Sequence, residues 1–417
     1  MSQHKEAQHR LNLFIDPMAR LPLEIQSVIF LCVAPMESFQ NPTPKPSAPP
    51  MVFLNVCRLW RDIALATPKL WCRIEMDSLP RGSNYFKLCG AWLSRARSLP
   101  LSVGLRGSMR LQRSVQDFLT RYRHQLEDLT LSLSPSHSLY SPYPYIIFKM
   151  GDDSSLPCLK RLSIKSDDEV FFGPDEWLQV LRISPNLSSF SIQNTFYDSG
   201  EFEGENEDLL PPITLSFLTD LRLGQPRSYA SSGEGGASSV VLRFLTLPAL
   251  HHLSISYFDI PSDAFIHFLT RSSAPLKSLD FAPPSHRWPV ADCLRPIPTI
   301  TDLQLSTPSD HPLHPWDQDR FLSFLQVMST TPDLLPNLHR LTLSTSIPVT
   351  IDYDELLRML IVRSTRNLQC FNLYLMNLNR LRPVGADMPN DQVRSGMLEL
   401  VNGGMKIHVG PEYRNLL

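Results

Sequence analysis

The chain has 417 residues, 42% of them hydrophobic and 19% charged, with a formal net charge of -2. That balance is too apolar for a disordered chain and supplies a large core, arranged either as two or three domains or as one elongated repeat domain. No stretch approaches the roughly 18 apolar residues of a membrane span, and the polar start MSQHKEAQHR lacks the apolar run of a secretory leader, so an intracellular protein without a membrane partner is expected, its place in cytoplasm or nucleus left open.

Two residue types set the texture. Proline is abundant, 37 of 417 residues, roughly twice the usual share, and it falls between apolar segments, as it would if it punctuated many short elements. Seven cysteines (Cys32, Cys57, Cys72, Cys89, Cys158, Cys293, Cys370) are scattered with no CxxC pair. They support neither a zinc site nor a disulfide framework and read as buried thiols.

Taken in chain order, residues 1–15 read as a flexible N-terminus, and RLPLEIQSVIFLCV then predicts a helix. Pro22 suits its first turn, while Leu21, Ile25, Val28, Ile29 and Cys32 recur at spacings of 3 and 4 and give one apolar face. Leu23, Phe30, Leu31 and Val33 add apolar surface away from that face, so this helix has more than one thing to bury against. Six prolines between positions 35 and 50 then forbid helix and mark a proline-rich insert. Periodicity resumes with Val52, Val56, Leu59, Trp60 and Ile63. Thr67 is a natural N-cap and Pro68 a first-turn residue for a third short helix carrying Leu70 and Trp71. Three short helices make a small core at best, so the two tryptophans pack on a partner, or else inside the module or against the following domain.

Charge is concentrated in the same part of the chain. Residues 51–125 hold 13 Arg or Lys against 4 Asp or Glu, a balance of +9, which leaves -11 for the remainder. Such asymmetry steers an acidic partner, or else is a set of solvated arginines. The stretch lacks an aromatic-rich nucleic-acid motif, so no nucleic-acid partner is expected.

LPLEIQSVIF followed by VCRLWRDIALATPKLW resembles an F-box, in the form found in fungal F-box proteins, where an LP-E-I-F helix, a variable insert and a VC-x-x-W-R-x-I-A helix end in TP-x-LW. The resemblance covers residues 16–75, with the insert at 35–50 longer than in the compact form. It implies docking onto the Skp-type adaptor of a cullin-RING ubiquitin ligase. Carried over by position, the adaptor-binding residues it implies are Leu21, Pro22, Ile25, Ile29 and Phe30, then Val56, Cys57, Trp60 and Ile63, then Pro68, Leu70 and Trp71.

From about residue 99 a different pattern takes over: an LxxLxL strand, a loop, and an amphipathic helix. Copies begin at Leu126, Leu159, Leu187, Leu218, Leu250, Leu276, Ile300, Leu338 and Leu368, at intervals of 24 to 38 residues. DEWLQVLRI, DAFIHFLTR, DRFLSFLQVM and YDELLRMLIV are helical stretches between them. The register resembles degenerate leucine-rich repeats, and the fold class expected is α/β: a small three-helix F-box, then an irregular strand-plus-helix solenoid over 99–400 and a tail or cap over 401–417. A doubly wound sheet also alternates strands and helices, but its strands are continuous apolar runs. Within each LxxLxL strand the polar positions share one face. Lys165, Gln193, Arg222, Asp280, Gln304, Asn372 and Tyr374 are the candidate target-binding residues; the alternative is a merely solvated sheet face.

Two inserts interrupt the repeats. DSGEFEGENEDLL carries six acidic residues from Asp198 to Asp208 and reads as a solvated loop. SYASSGEGGASS, at 228–239, has no GK[ST] and no complete GxGxxG and reads as a flexible linker. The chain contains no GxSxG and no HExxH. His251 and His252 sit side by side in a strand, where neighbours point to opposite faces. No catalytic residue, metal or cofactor is therefore expected. The function expected is a non-catalytic substrate-recognition subunit of a cullin-RING ligase, with a repeat-based scaffold or sensor that does not support ubiquitin transfer as the alternative.

Overall fold

The computed structural model describes residues 17–33, 49–77, 84–107, 113–133, 155–171, 174–196, 212–224, 237–256, 260–281, 289–306, 318–345, 351–375, 389–410 and 415. Residues 1–15, the acidic insert, and nearly all of the proline-rich and Ser/Gly segments lie outside these. The fold is mixed α/β, with strands β1 (Arg73–Asp77), β2 (Leu101–Gly107), β3 (Leu126–Leu133), β4 (Arg161–Phe171), β5 (Ser189–Phe196), β6 (Ile213–Thr214), β7 (Asp220–Gly224), β8 (Leu245–Thr246), β9 (His252–Ser256), β10 (Ser278–Phe281), β11 (Asp302–Ser306), β12 (Arg340–Thr345), β13 (Cys370–Leu375) and β14 (Lys406–Gly410). Twelve of them form one parallel sheet in the order β1-β2-β3-β4-β5-β7-β9-β10-β11-β12-β13-β14, and β6 pairs with β8 apart from it. The order never doubles back, which excludes the doubly wound alternative, whose strand order reverses at a switch point.

The chain divides into two compact units, Met1–Tyr140 with Lys149–Ser163, and Ser141–Phe148 with Ile164–Leu417; the division falls inside β4. The first unit opens with helices α1 (Leu23–Val33), α2 (Phe53–Val56) and α3 (Arg58–Ala66) and a 3-10 turn over Pro68–Trp71 that leads directly into β1. Helices α4 (Asn84–Leu93) and α5 (Arg113–Tyr122) separate β1, β2 and β3. The second unit carries α6 (Pro174–Ile183), α7 (Ala237–Phe244), α8 (Ser262–Ser272), α9 (Val290–Leu294), α10 (Gln318–Thr330), α11 (Tyr353–Ser364) and α12 (Asp391–Asn402), each packed on the next.

The nine LxxLxL copies all lie at strands of the parallel sheet, and the reason is visible in their burial. All three apolar positions of every copy are at most 4% exposed. The first apolar residue closes a turn, as in Leu250 N–H to Leu247 O (3.2 Å) and Leu338 N–H to Leu335 O (3.2 Å). The next residue passes its backbone to the preceding strand: His251 N–H to Thr219 O (2.9 Å), Lys277 to His251 O (2.8 Å), Thr301 to Lys277 O (2.8 Å), His339 to Thr301 O (2.8 Å) and Gln369 to His339 O (2.9 Å). The middle and last apolar residues then point into the core with a polar residue between them.

Three strands of the twelve-stranded sheet escaped the sequence reading, as did the separate pair β6 and β8. β1 lies partly inside the span assigned to the N-terminal module, β2 has the alternating apolar residues Leu101, Val103 and Leu105 without the full motif, and β14 lies where a tail or cap was expected; all three pair in the sheet. The cysteines also need correction. Cys89 and Cys293 are buried, but Cys32, Cys57 and Cys158 are exposed and Cys72 and Cys370 half-buried. Cys57 has a local role: its Sγ accepts from Trp60 N–H at 3.5 Å as the N-cap of α3, and its extended backbone splits into α2 and α3 what the spacing reads as one helix.

In the helical layer of the second unit, arginines near helix C-termini bind the element before them. Arg271 donates to Leu242 O (2.6 Å) and Leu245 O (2.7 Å) at the end of α7. Arg363, 1% exposed, donates to Met328 O (2.8 Å), Thr331 O (2.9 Å), Pro332 O (3.2 Å) and Leu334 O (2.5 Å) after α10. Of these, Leu242 O and Met328 O are carbonyls that a helix end leaves without an intrahelical partner, and the others lie just beyond it. Burial pushes the Arg363 guanidinium down to about 10, with the nearby Arg366 charge adding to the effect and Asp333 opposing it.

Candidate functional site

Two surfaces stand out, and the first belongs to α1–α3. Their interior is built on an aromatic cluster: Phe30 stacks on Phe53 (ring centroids 4.3 Å), and Trp60 closes on Phe30 (5.1 Å) and Phe53 (6.1 Å). Thr67 does not cap the 3-10 turn through its side chain; its hydroxyl donates to Ile63 O (2.7 Å) and bonds Ser27 Oγ (3.0 Å), tying α3 to α1. Gln26 points inward and donates to Met18 O (2.6 Å) and Leu21 O (2.7 Å), holding the chain that enters α1. Trp71, fully buried, donates from Nε1 to Ala64 O (2.8 Å), meets the edge of Trp92 (5.2 Å), and carries the Arg95 guanidinium 4.4 Å above its ring. Burial pulls the Arg95 pKa down.

These contacts sort the twelve residues assigned to an adaptor. Phe30, Ile63, Leu70 and Trp71 are interior, none above 5% exposed, and hold the first unit together. The sequence left Trp71 a choice between a partner and the adjacent region of the chain, and it packs on the latter, against Trp92 of α4. Pro22, Ile25, Val56 and Cys57 are exposed, and Leu21, Ile29, Trp60 and Pro68 are half-buried. The α1 stripe of Leu21, Ile25, Val28, Ile29 and Cys32 is thus the outward face of the helix, because Phe30 and Gln26 occupy the inward one. Leu23 (52% exposed), Ile25 (47%), Val28 (53%) and Val33 (58%) all reach solvent on this one helix, and Val56 (53%) and Leu65 (39%) do so on α2 and α3. Full burial of such a side chain is worth about 1.5–3 kcal/mol, so each half-exposed residue leaves on the order of 1 kcal/mol ungained. Arg58, Arg61 and Lys69 are exposed in the same module.

The second surface is the polar face of the sheet in the second unit. The strand register puts Ser191, Arg222, Ser254, Asp280, Gln304, Thr342, Asn372 and His408 in one transverse row. Four of the seven assigned target-binding residues, Arg222, Asp280, Gln304 and Asn372, therefore share a line. Tyr374 lies one row further, 5.2 Å from the His408 ring, and Gln193 sits beside Gly224. Lys165 is exposed on β4. The row is partly satisfied from within: Ser254 donates to Asp280 Oδ2 (3.0 Å) and Asn372 Nδ2 to Thr342 Oγ1 (3.3 Å). Burial holds the Asp280 carboxyl above its usual value, against the opposing Ser254 hydrogen bond and Arg222 charge.

A neighbouring row escaped the sequence reading: Asp220, His252, Ser278, Asp302, Arg340, Cys370 and Lys406. Arg340 pairs with Asp302 at 3.1 Å, and an open cavity of about 470 Å³ is lined by Asp302, His339, Arg340, Cys370 and Lys406 among others. In the sequence this row is the residue just before the middle apolar position of each motif, a signal available there. No group of three or more His, Cys, Asp or Glu able to hold a metal occurs among the described residues, and none of their helices is long and apolar enough to cross a membrane. No protein-family profile and no curated protein matches the chain.

Proposed function

We propose that the chain is a substrate-recognition subunit of a cullin-RING ubiquitin ligase, its α1–α3 segment acting as an F-box that binds a Skp-type adaptor and its parallel sheet as degenerate leucine-rich repeats that hold a target protein. The observation that carries the reading is the outward apolar stripe of α1. The aromatic interior of the module is complete without Ile25 and Val28 of that stripe, and without the exposed Leu23 and Val33 elsewhere on the helix, so their exposed area serves association rather than folding. The exposed arginines and lysine nearby suit the acidic adaptor that the resemblance implies. The repeat reading is supported by the burial of every apolar motif position and the unreversed strand order.

On this reading no residue of the chain performs chemistry. The ligase works by raising the effective concentration of a target lysine near the charged ubiquitin carrier. The test is reconstitution: the full chain, adaptor, cullin-RING core and ubiquitin-charging enzymes are combined, and ubiquitin transfer to the receptor itself is followed. Transfer that requires the chain supports a receptor. Adaptor binding with no transfer favours a scaffold, and no adaptor binding by folded protein removes the F-box reading.

A further inference from the structure

The last strand of the sheet has an outer edge, and one side chain occupies part of it. In a parallel ladder successive residues turn their N–H and C=O to alternate neighbours. Lys406 N–H donates to Gln369 O at 2.8 Å, so Lys406, His408 and Gly410 address β13, while Ile407 and Val409 address the open side. Those two residues meet Asn415. Val409 N–H donates to Asn415 Oδ1 (3.0 Å), and Asn415 Nδ2 donates to Ile407 O (3.1 Å).

The geometry of this pair is specific. A carboxamide offers an N–H and a C=O much as one peptide residue does. The groups it engages, the carbonyl before His408 and the N–H after it, are those that a single residue of an adjoining parallel strand would engage; an antiparallel neighbour would supply them from two different residues. Asn415 therefore stands where one residue of a further parallel strand would stand. Gly410, with φ +136°, ends β14 in a conformation that L side chains rarely adopt, so the chain leaves the ladder there. The other end of the sheet is treated similarly: Ser102 N–H donates to Cys72 O, which turns Arg73 outward, and Arg73 O accepts from Trp92 Nε1 at 3.1 Å.

An edge strand with buried Ile407 and Val409 is a template for another chain. We propose that Asn415 is a built-in plug of this edge, which keeps β14 from accepting a strand of a second copy of the protein. The inference stands apart from the ligase reading, since it uses only the end of the sheet. Its test uses the full chain carrying Asn415→Ala, with Asn415→Asp as a second variant that keeps an acceptor for Val409 but has no donor for Ile407. Amide exchange at Val409 is measured by NMR or mass spectrometry, and association by sedimentation across a range of concentrations. The expected result is at least tenfold faster exchange at Val409 in Asn415→Ala and a smaller change in Asn415→Asp, with a concentration-dependent larger species in Asn415→Ala that is absent from the parent protein. Unchanged exchange at Val409 in Asn415→Ala, or an Asn415→Ala variant that stays as monomeric as the parent, overturns the proposal.

Discussion

The module of α1–α3 and the polar face of the sheet are both exposed, but they are unfinished in different ways. The module satisfies its polar groups internally, through Gln26, Thr67 and the Trp71 indole, and leaves aliphatic side chains in water. The sheet face buries all its aliphatic motif positions and presents a polar grid, partly paired within itself. A surface of the first kind gains free energy from any apolar partner of matching shape, because its hydrogen bonds are not at stake. A surface of the second kind gains only from a partner that replaces those hydrogen bonds and water contacts one for one, so it discriminates strongly and binds weakly per unit area. One suits a constant partner and the other a selected one.

Substitutions can break this contrast. Trp71→Ala removes a fully buried indole that joins α3 to α4, and should destabilise the first unit by about 3–5 kcal/mol in urea titration. Arg363→Ala leaves four carbonyls, two of them buried, without their donor and should cost the second unit about 3–5 kcal/mol; a loss confined to the signals of the first unit contradicts the division into two units. The pair Ile25→Asp with Val28→Asp should leave the melting temperature within about 2 °C, since both residues are exposed, while weakening adaptor binding about 100-fold or more. Gln304→Ala should leave both stability and adaptor binding unaltered and reduce binding of a target only.

The smallest effect concerns Asp280. Its folded pKa lies above its unfolded value, so between the two the folded chain holds more protons and stability falls as pH rises through that window. Asp280→Asn should therefore raise the melting temperature at pH 7, and the gain should disappear as pH drops below the ordinary carboxyl value of 3.8. A gain that persists unchanged at low pH shows that the carboxylate charge is not its source.

The strands were legible in the sequence because burial of the LxxLxL positions is strict: each leucine has one allowed direction, and the polar residue between them must take the other. The orientation of α1 was not legible. Leu23, Ile25, Val28, Ile29, Phe30 and Val33 make the helix apolar all round, and spacing alone cannot say which side faces in. The decision is made by Phe30 meeting Phe53 and Trp60, a contact spanning the proline-rich insert. For the same reason the sequence does not separate Phe30, Ile63, Leu70 and Trp71, which are buried, from the exposed Ile25 and Val56, since core and interface anchors share their composition. The row of Asp220, His252, Asp302 and Arg340 is legible as one position of the motif, and only Lys406, whose strand carries no LxxLxL copy, joins it through strand register alone.

The most direct test is calorimetric titration of a Skp-type adaptor into the full chain and into the Ile25→Asp, Val28→Asp variant, with circular dichroism to verify that both are folded. The account predicts binding by the parent chain that changes little with salt, because apolar burial dominates it, and binding reduced about 100-fold or more in the variant. Equal affinity of the two folded proteins would contradict the claim that the outward stripe of α1 is the docking surface.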